Sequence, residues 1–200
     1  MLTISAGSKS HLEGPITKVL PKITVRWDGV NWTDETTYLK SLNITKSLED
    51  KNFGPVANTF NAIVDNTAGR FSWPSESTRT PKKWVRLYAG INGTDVLVLT
   101  GVIDTIEQRK DGTALLKGRD VSAIAIDTPA PLKTYIDQSP EDIIDDLWTT
   151  ATGFSTSSDS TGIIMDFMKF TRATSVWDAI SSVCKKTAGR VNVLPDGTLV

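Results

Sequence analysis

One cysteine and one histidine are all that this 200-residue chain holds of either type. Cys184 has no partner for a disulfide within the chain, a composition that fits folding in a reducing compartment. A His/Cys metal site cannot be assembled within one chain from His11 and Cys184 alone. A Ser-His-Asp triad would have to use His11, which lies in a polar stretch with no periodic context. Long apolar runs are missing as well. No window approaches the roughly 18–20 apolar residues of a membrane span, and residues 1–14 lack the apolar run of a signal peptide. The sequons at Asn31, Asn43 and Asn92 therefore read as chance. An excess of either charge is absent too. Lys and Arg number 22 against 23 Asp and Glu, giving a net charge of −1 and a pI near 5.9. Gripping nucleic acid through its phosphates is not indicated by that balance. Neither a Walker-type loop nor Gly-x-Gly-x-x-Gly occurs. No cofactor and no metal ion is implied, and no residue is nominated as catalytic.

What is present is a core-forming fraction of 39% hydrophobic residues, with glycine and proline gathered at turn positions. Residues 1–21 read as an extended arm, rich in Gly, Ser and Pro. From Lys22 the period becomes two. Ile23, Val25 and Trp27 alternate with polar neighbours until Asp28-Gly29 ends the strand. Strands follow at 40–48, 59–64, 85–89, 96–107 and 113–119. Asn92-Gly93 and Asp111-Gly112 supply hairpin turns between the last three. Residues 22–126 thus predict an antiparallel sheet rolled into a barrel or sandwich, closed at one end by a short helical turn at 121–126.

Two prolines, Pro129 and Pro131, mark a linker at 127–132. Beyond it the period is helical. Ser139 is an N-cap with Pro140 at the first helical position, and Ile143, Leu147 and Trp148 form an apolar stripe that Gly153 stops. A strand at 163–170 follows. A second helix, capped by Thr174 or Ser175, carries Val176, Trp177, Ile180, Val183 and Cys184, and Gly189 ends it. A strand at 190–194 with an Asp196-Gly197 turn completes a small α+β domain at 133–200. So little chain follows that turn that the 191–194 strand is expected to lack most of its partner, which predicts continuation past Val200.

Several side-chain groupings invite chemistry. Glu141, Asp142, Asp145 and Asp146 fall on the N-terminal half of one helix, where the dipole and solvent account for them better than a glycosidase pair does. Asp28 and Asp34 faintly suggest a calcium loop but lack the twelfth-position carboxylate, so a plain turn is favoured. Arg79, Lys82, Lys83 and Arg86 are bracketed by Trp73 and Trp84. Interleaved aromatic and basic residues stack bases, anchor protein interfaces, or simply line a solvated loop; the acidic balance leaves the interface preferred.

The run Val64-Asp65-Asn66-Thr67-Ala68-Gly69-Arg70-Phe71-Ser72 resembles a turn common in phage minor tail proteins. There it is followed by a Pro-containing loop and a strand reading Val-Arg, here Val85-Arg86. Leu99-Thr100-Gly101-Val102-Ile103-Asp104 and Leu116-Lys117-Gly118-Arg119-Asp120 are similar to later strands of the same family. Ser139-Pro140-Glu141-Asp142, Val176-Trp177-Asp178 and Asp196-Gly197 resemble the second module of tail hub and late control proteins. The resemblance covers about residues 38–200. It departs at Trp73, where the family often has proline, and at Lys82-Lys83, where it often has Gly-Arg.

That resemblance implies a tail-tube-like barrel followed by a small α+β domain, in a structural virion protein of a phage or phage-like tail. The chain would be made in the host cytoplasm and would form the hub or distal tube ring, as a trimer of itself. Other tail proteins would be its neighbours, and DNA only passing cargo in the channel. Phe71, Trp73, Trp84 and Arg86 are the candidate subunit-interface residues. A cell-wall carbohydrate-binding module is the rival reading, kept open by six tryptophans. An enzyme is the weakest, and would have to be a carboxylate-only hydrolase.

Overall fold

The computed structural model describes residues 19–46, 57–72, 79–91 and 94–200. His11, Trp73 and the Asn92-Gly93 turn lie outside the described residues. The chain forms two compact units, Met1–Thr45 with Thr59–Arg119, and Lys46–Asn58 with Asp120–Val200. The division falls between Arg119 and Asp120, ahead of the Pro129–Pro131 stretch.

The first unit is one seven-stranded sheet. Its strands are β1 (Val19–Arg26), β2 (Thr33–Asp34), β3 (Leu39–Thr45), β4 (Thr59–Asp65), β5 (Trp84–Ile91), β6 (Thr94–Gln108) and β7 (Thr113–Asp120). They lie in the order β2-β1-β5-β6-β7-β4-β3. The pairings β1–β2, β1–β5, β3–β4, β4–β7 and β5–β6 are all antiparallel. The β-rich first unit is thus as expected, but the closed barrel and the sandwich are not. Among the described residues no hydrogen bonds join β2 to β3, and no second sheet occurs in this unit. Closure needs edge strands long enough to pair. β2 has two residues and passes at once into a 3-10 turn at Thr36–Tyr38.

The alternation read from the sequence sorts the side chains. Ile23, Val25, Phe60, Ala62, Val64, Val85, Leu87, Leu99, Ile103, Ala114 and Leu116 all point into one core. Each of the larger ones contributes about 1.5–3 kcal/mol by leaving water. Tyr38, Leu39, Leu42 and Ile44 pack on the same core from the β3 side. Side chains, not backbone, therefore fill the space inside the curl. A register shift between Leu87 and Tyr88 tightens it further by placing Leu97 opposite Tyr88 and Leu99 opposite Leu87.

Asp111-Gly112 makes the turn before β7, with Gly112 at φ +74° and the Asp111 carboxylate accepting from Thr113 N and Oγ1. At Gly118 the backbones crowd. A Cβ there would lie 2.1 Å from the Val102 carbonyl oxygen and 2.5 Å from the Phe60 ring.

The second unit holds α1 (Ser122–Asp127), β8 (Thr134–Gln138), α2 (Pro140–Thr152), β9 (Met165–Lys169) and α3 (Val176–Thr187). Ser139 caps α2 by accepting from Asp142 N at 3.1 Å, and Gly153 ends it at φ +74°. Ser175 caps α3 in the same way, through Asp178 N at 3.0 Å. The left-handed residue that ends α3 is Ala188, one position before the expected glycine. Trp148 and Trp177 meet edge to face at 6.3 Å and join the two helices. Asp120, 5% exposed, accepts from Asn58 N at 3.1 Å, Asn58 Nδ2 at 2.6 Å, and Ser122 N and Oγ. The expected unpaired strand at 191–194 has partners. Asn192 and Val200 exchange both backbone hydrogen bonds, and Leu199 bonds to Ser155 and Ser157 on its other side.

Gly118→Ala is expected to lower stability by about 1–3 kcal/mol, the usual cost of overpacking. The urea midpoint should fall with little change in slope. An unchanged midpoint would mean that the close approach relaxes freely.

Candidate assembly surface and the charge network beneath it

The turn after β4 is built by its own side chains. Asn66 Oδ1 accepts from Phe71 N at 2.7 Å, and Asn66 Nδ2 donates to Ser72 Oγ at 3.0 Å. Gly69 takes φ +71° between them. This clasp turns Phe71 inward, where it is 1% exposed and packs against Trp27 and Tyr38. Phe71 is a core residue of the first unit and does not reach the subunit's surface.

Arg70 is then aimed at Glu35, a carboxylate with no exposure at all. The pairing is bidentate, Nε to Oε2 at 2.8 Å and Nη2 to Oε1 at 3.0 Å. Trp27 Nε1 donates to the same Oε1 at 2.7 Å, and Arg79 Nε lies 3.6 Å from it. Tyr38 underlies the Arg70 guanidinium at 4.6 Å, and Trp27 the Arg79 guanidinium at 5.8 Å. Sequence reasoning missed Glu35. Three groups from three segments converge on it.

A second pair stands farther along the sheet. Arg119 Nε and Nη2 reach Asp104 Oδ2 and Oδ1 at 2.8 and 3.1 Å, and Lys82 Nζ lies 3.3 Å from the same carboxylate. The Arg119 hydrogen bond holds Asp104 below its ordinary pKa. Lys82 sits at φ +67°, a conformation that favours glycine.

The basic stretch is therefore not a continuous strip. Arg79 turns inward, Lys82 faces Asp104, and Arg86 emerges on the outer face of β5. There Arg86 stacks on Trp32 at 4.4 Å, and Arg26, from β1, lies 5.9 Å from the same ring. Trp84 is opposite Arg26 in the β1–β5 register, while Thr24 and Thr100 flank Arg86 on either side. The two threonine hydroxyls and Arg86 Nε are buried without hydrogen-bond partners among the described residues. Trp84 and Arg86 are both half-buried on this face, whereas Trp73 lies outside the described residues.

The remaining candidates are occupied locally. Asp28 accepts from Val30 N, Asn31 N and Asn31 Nδ2, a turn-closing role that lowers its pKa to about 2. Asp146 accepts from Tyr135 and Lys133, and Asp145 from Thr149 and Thr156. Glu141 accepts from Thr161 N, at the wall of a cavity of about 410 Å³ that Asp159, Cys184 and Arg190 also line. Burial raises the Cys184 thiol pKa, which leaves it a poor nucleophile. Among the described residues no group of three or more His, Cys, Asp or Glu could hold a metal ion, and no helix is long and apolar enough to cross a membrane.

No family model and no curated protein matches the chain. Its fold does match solved structures. A tail protein from Neisseria meningitidis MC58 is 17% identical with a TM-score of 0.60, over 90% of this chain and 49% of that one. The 43 kDa tail protein of prophage MuSo2 from Shewanella oneidensis is 16% identical with a TM-score of 0.63, over 92% of this chain and 54% of that one. The chain thus has the fold of these two tail proteins and spans about half the length of each.

Glu35→Gln leaves two arginines facing a neutral group and is expected to cost about 3–5 kcal/mol, as for other buried pairs that lose one partner. Urea unfolding measures this; a loss below about 1 kcal/mol would class the network with surface ion pairs. Acid should act oppositely on the carboxylates whose pKa is lowered, which include Glu141 and Asp146 in the second unit, and on Asp120, whose pKa is raised. Asp28, Asp65, Asp104 and Asp111 all have lowered pKa values, so their stabilisation is present above the ordinary 3.8 and is lost as pH falls, through about 2 for Asp28. Burial raises the Asp120 pKa, so its contribution is full below 3.8 and is lost as pH rises through its folded value. Hydrogen exchange resolved by segment should show the turns closed by Asp28, Asp65 and Asp111 losing protection between about pH 4 and pH 2, before the Asn58–Asp120–Ser122 contact does. Simultaneous loss would contradict this.

Proposed function

We propose that this chain is a structural building block of a phage-type tail, a subunit of the hub or distal tube ring that joins the tail tube to the tip or baseplate. The observation that carries the reading is the fold match to two tail proteins, one of them from a prophage, over nine-tenths of the chain. The role is mechanical. A sheet of seven strands presents a stiff face to its neighbours, and copies arranged around an axis enclose a channel. Its partners on this reading are itself, as a trimeric ring, and other tail proteins, with DNA only in transit. It acts in the virion and not as an enzyme.

Trp84 and Arg86 are the contact residues in this proposal, since both stand on the outer face of the sheet and are large enough to anchor an interface. The wall-binding alternative loses support from burial. Trp27, Trp148 and Trp177 are each at most 6% exposed and unavailable to a glycan.

Electron microscopy of the assembled particle, at a resolution that counts subunits around the axis, tests the ring. Trp84→Ala should weaken assembly about tenfold or more, while subunit stability changes by about 1 kcal/mol. Normal particles from this variant would remove Trp84 from the interface. Saturable glycan binding by the monomer would favour the rival.

A further inference from the structure

The two units carry opposite charge. Residues 1–45 and 59–119 hold 14 Lys and Arg against 10 Asp and Glu, a net of +4; residues 46–58 and 120–200 hold 8 against 13, a net of −5. A near-neutral chain thus divides into two units of unlike charge, so the positive unit of one copy attracts the negative unit of another.

The positive unit has a prepared surface for such a partner. Trp32 lies between Arg86 and Arg26, at 4.4 and 5.9 Å. Neither arginine has an acidic partner among the described residues; the hydrogen bond that Arg26 Nε makes is to the Val30 carbonyl at 2.9 Å. Several other cations of this unit are engaged by carboxylates, among them Arg70 by Glu35, Arg119 by Asp104 and Lys22 by Asp95. Stacking on an indole fixes a guanidinium in place, so less freedom is lost when it meets a carboxylate. Val30, 68% exposed, adds apolar surface in the same turn.

The negative unit has a counterpart. Asp142 and Asp145 are exposed three residues apart on α2, near its N-terminal end. Their carboxylates accept from hydroxyls, of Ser139 for Asp142 and of Thr149 and Thr156 for Asp145, and neither is in an ion pair among the described residues.

We propose that the Trp32 face of one copy, through Arg26 and Arg86, docks the Asp142–Asp145 face of α2 in a neighbouring copy. The proposal rests on the ring reading and specifies how neighbours meet. Because the two faces differ, the contact is heterologous: it propagates around an axis without a two-fold pair and closes into a ring, of three for a 120° rotation, when its rotation closes. A partner surface of this kind sets register and encounter rate more than raw affinity.

Sedimentation velocity on the full chain tests it, with near-ultraviolet circular dichroism as the folding control. Self-association should weaken at least tenfold between about 0.05 and 0.5 M salt. Arg26→Glu with Arg86→Glu, and separately Asp142→Arg with Asp145→Arg, should each weaken it at least tenfold. Mixing the two variants should restore contacts between unlike variants, in an open or even-numbered complex, since strict alternation cannot close a ring of three. Should Arg86→Glu misfold, Arg86→Gln serves as the milder substitution with the same expected direction. Rings that form equally well from both reversed variants overturn this docking and leave the ring reading intact. A wild-type chain that stays monomeric at every concentration overturns both. Duplex DNA binding that depends on Arg86, with self-association unchanged, assigns the face to nucleic acid and also overturns the docking.

Discussion

A carboxylate with no solvent exposure organises the first unit. Glu35 leaves β2 and enters the core, where Arg70, Arg79 and Trp27 converge on its two oxygens. Burying such a charge alone would cost several kcal/mol, and the bidentate guanidinium, the indole N–H and the second arginine offset that penalty together. The geometric consequence matters more than the net energy. The sheet does not close through hydrogen bonds, so something must fasten the short β2 end to the turn that follows β4. The Glu35–Arg70 pair spans 35 positions of sequence and does so. Without it the Tyr38–Phe71–Trp27 cluster would have no fixed lid.

The motif residues acquire separate physical tasks once that fastening is seen. Asn66 shapes the turn, Gly69 supplies the left-handed residue, Arg70 reaches the buried acid, and Phe71 plugs the core beneath it. Asp104 and Arg119 form a second clamp between β6 and β7, and Gly118 permits the backbone approach beside it. Lys82 holds φ +67°, a strained conformation for a residue with a side chain, and donates its N–H to Ile103 at 2.6 Å.

Period-two strands were legible because one face of each is buried. Ile23/Val25, Phe60/Ala62/Val64 and Val85/Leu87 are alternations that a core enforces. Helix caps were legible for a similarly local reason, since Ser139 and Ser175 act within three residues of themselves. What escaped was non-local. Glu35 lies between Asp34 and Thr36 and reads as a solvated acid, because its partners are 35 and 44 positions away. β2 is too short to carry a period. β8 was hidden because Ile136, on its apolar-looking stretch, is 59% exposed while Asp137 breaks the strand with φ +51°. Whether a sheet closes depends on how its edge strands meet, which no local pattern encodes. The interface candidates divide on the same ground. Arg86 and Trp84 were placed by strand alternation, whereas the direction of Phe71 depends on a side-chain clasp.

The edges of this sheet are poor templates for further strand pairing. β2 offers two residues, and β3 exposes Lys40, Ser41, Asn43 and Thr45 along its length, with Lys40 held 3.7 Å from Asp65. A short edge and a charged edge both discourage indiscriminate addition of another chain. The outer face of β1 and β5 has the opposite character. It holds two half-buried tryptophans, a stacked guanidinium and buried hydroxyls without partners, a combination that an isolated monomer gains little from keeping. A subunit that must join its copies in one register is better served by such a face than by a bare edge. Face packing is specified by side-chain shape and charge, whereas backbone pairing at an edge slips by two residues with little penalty.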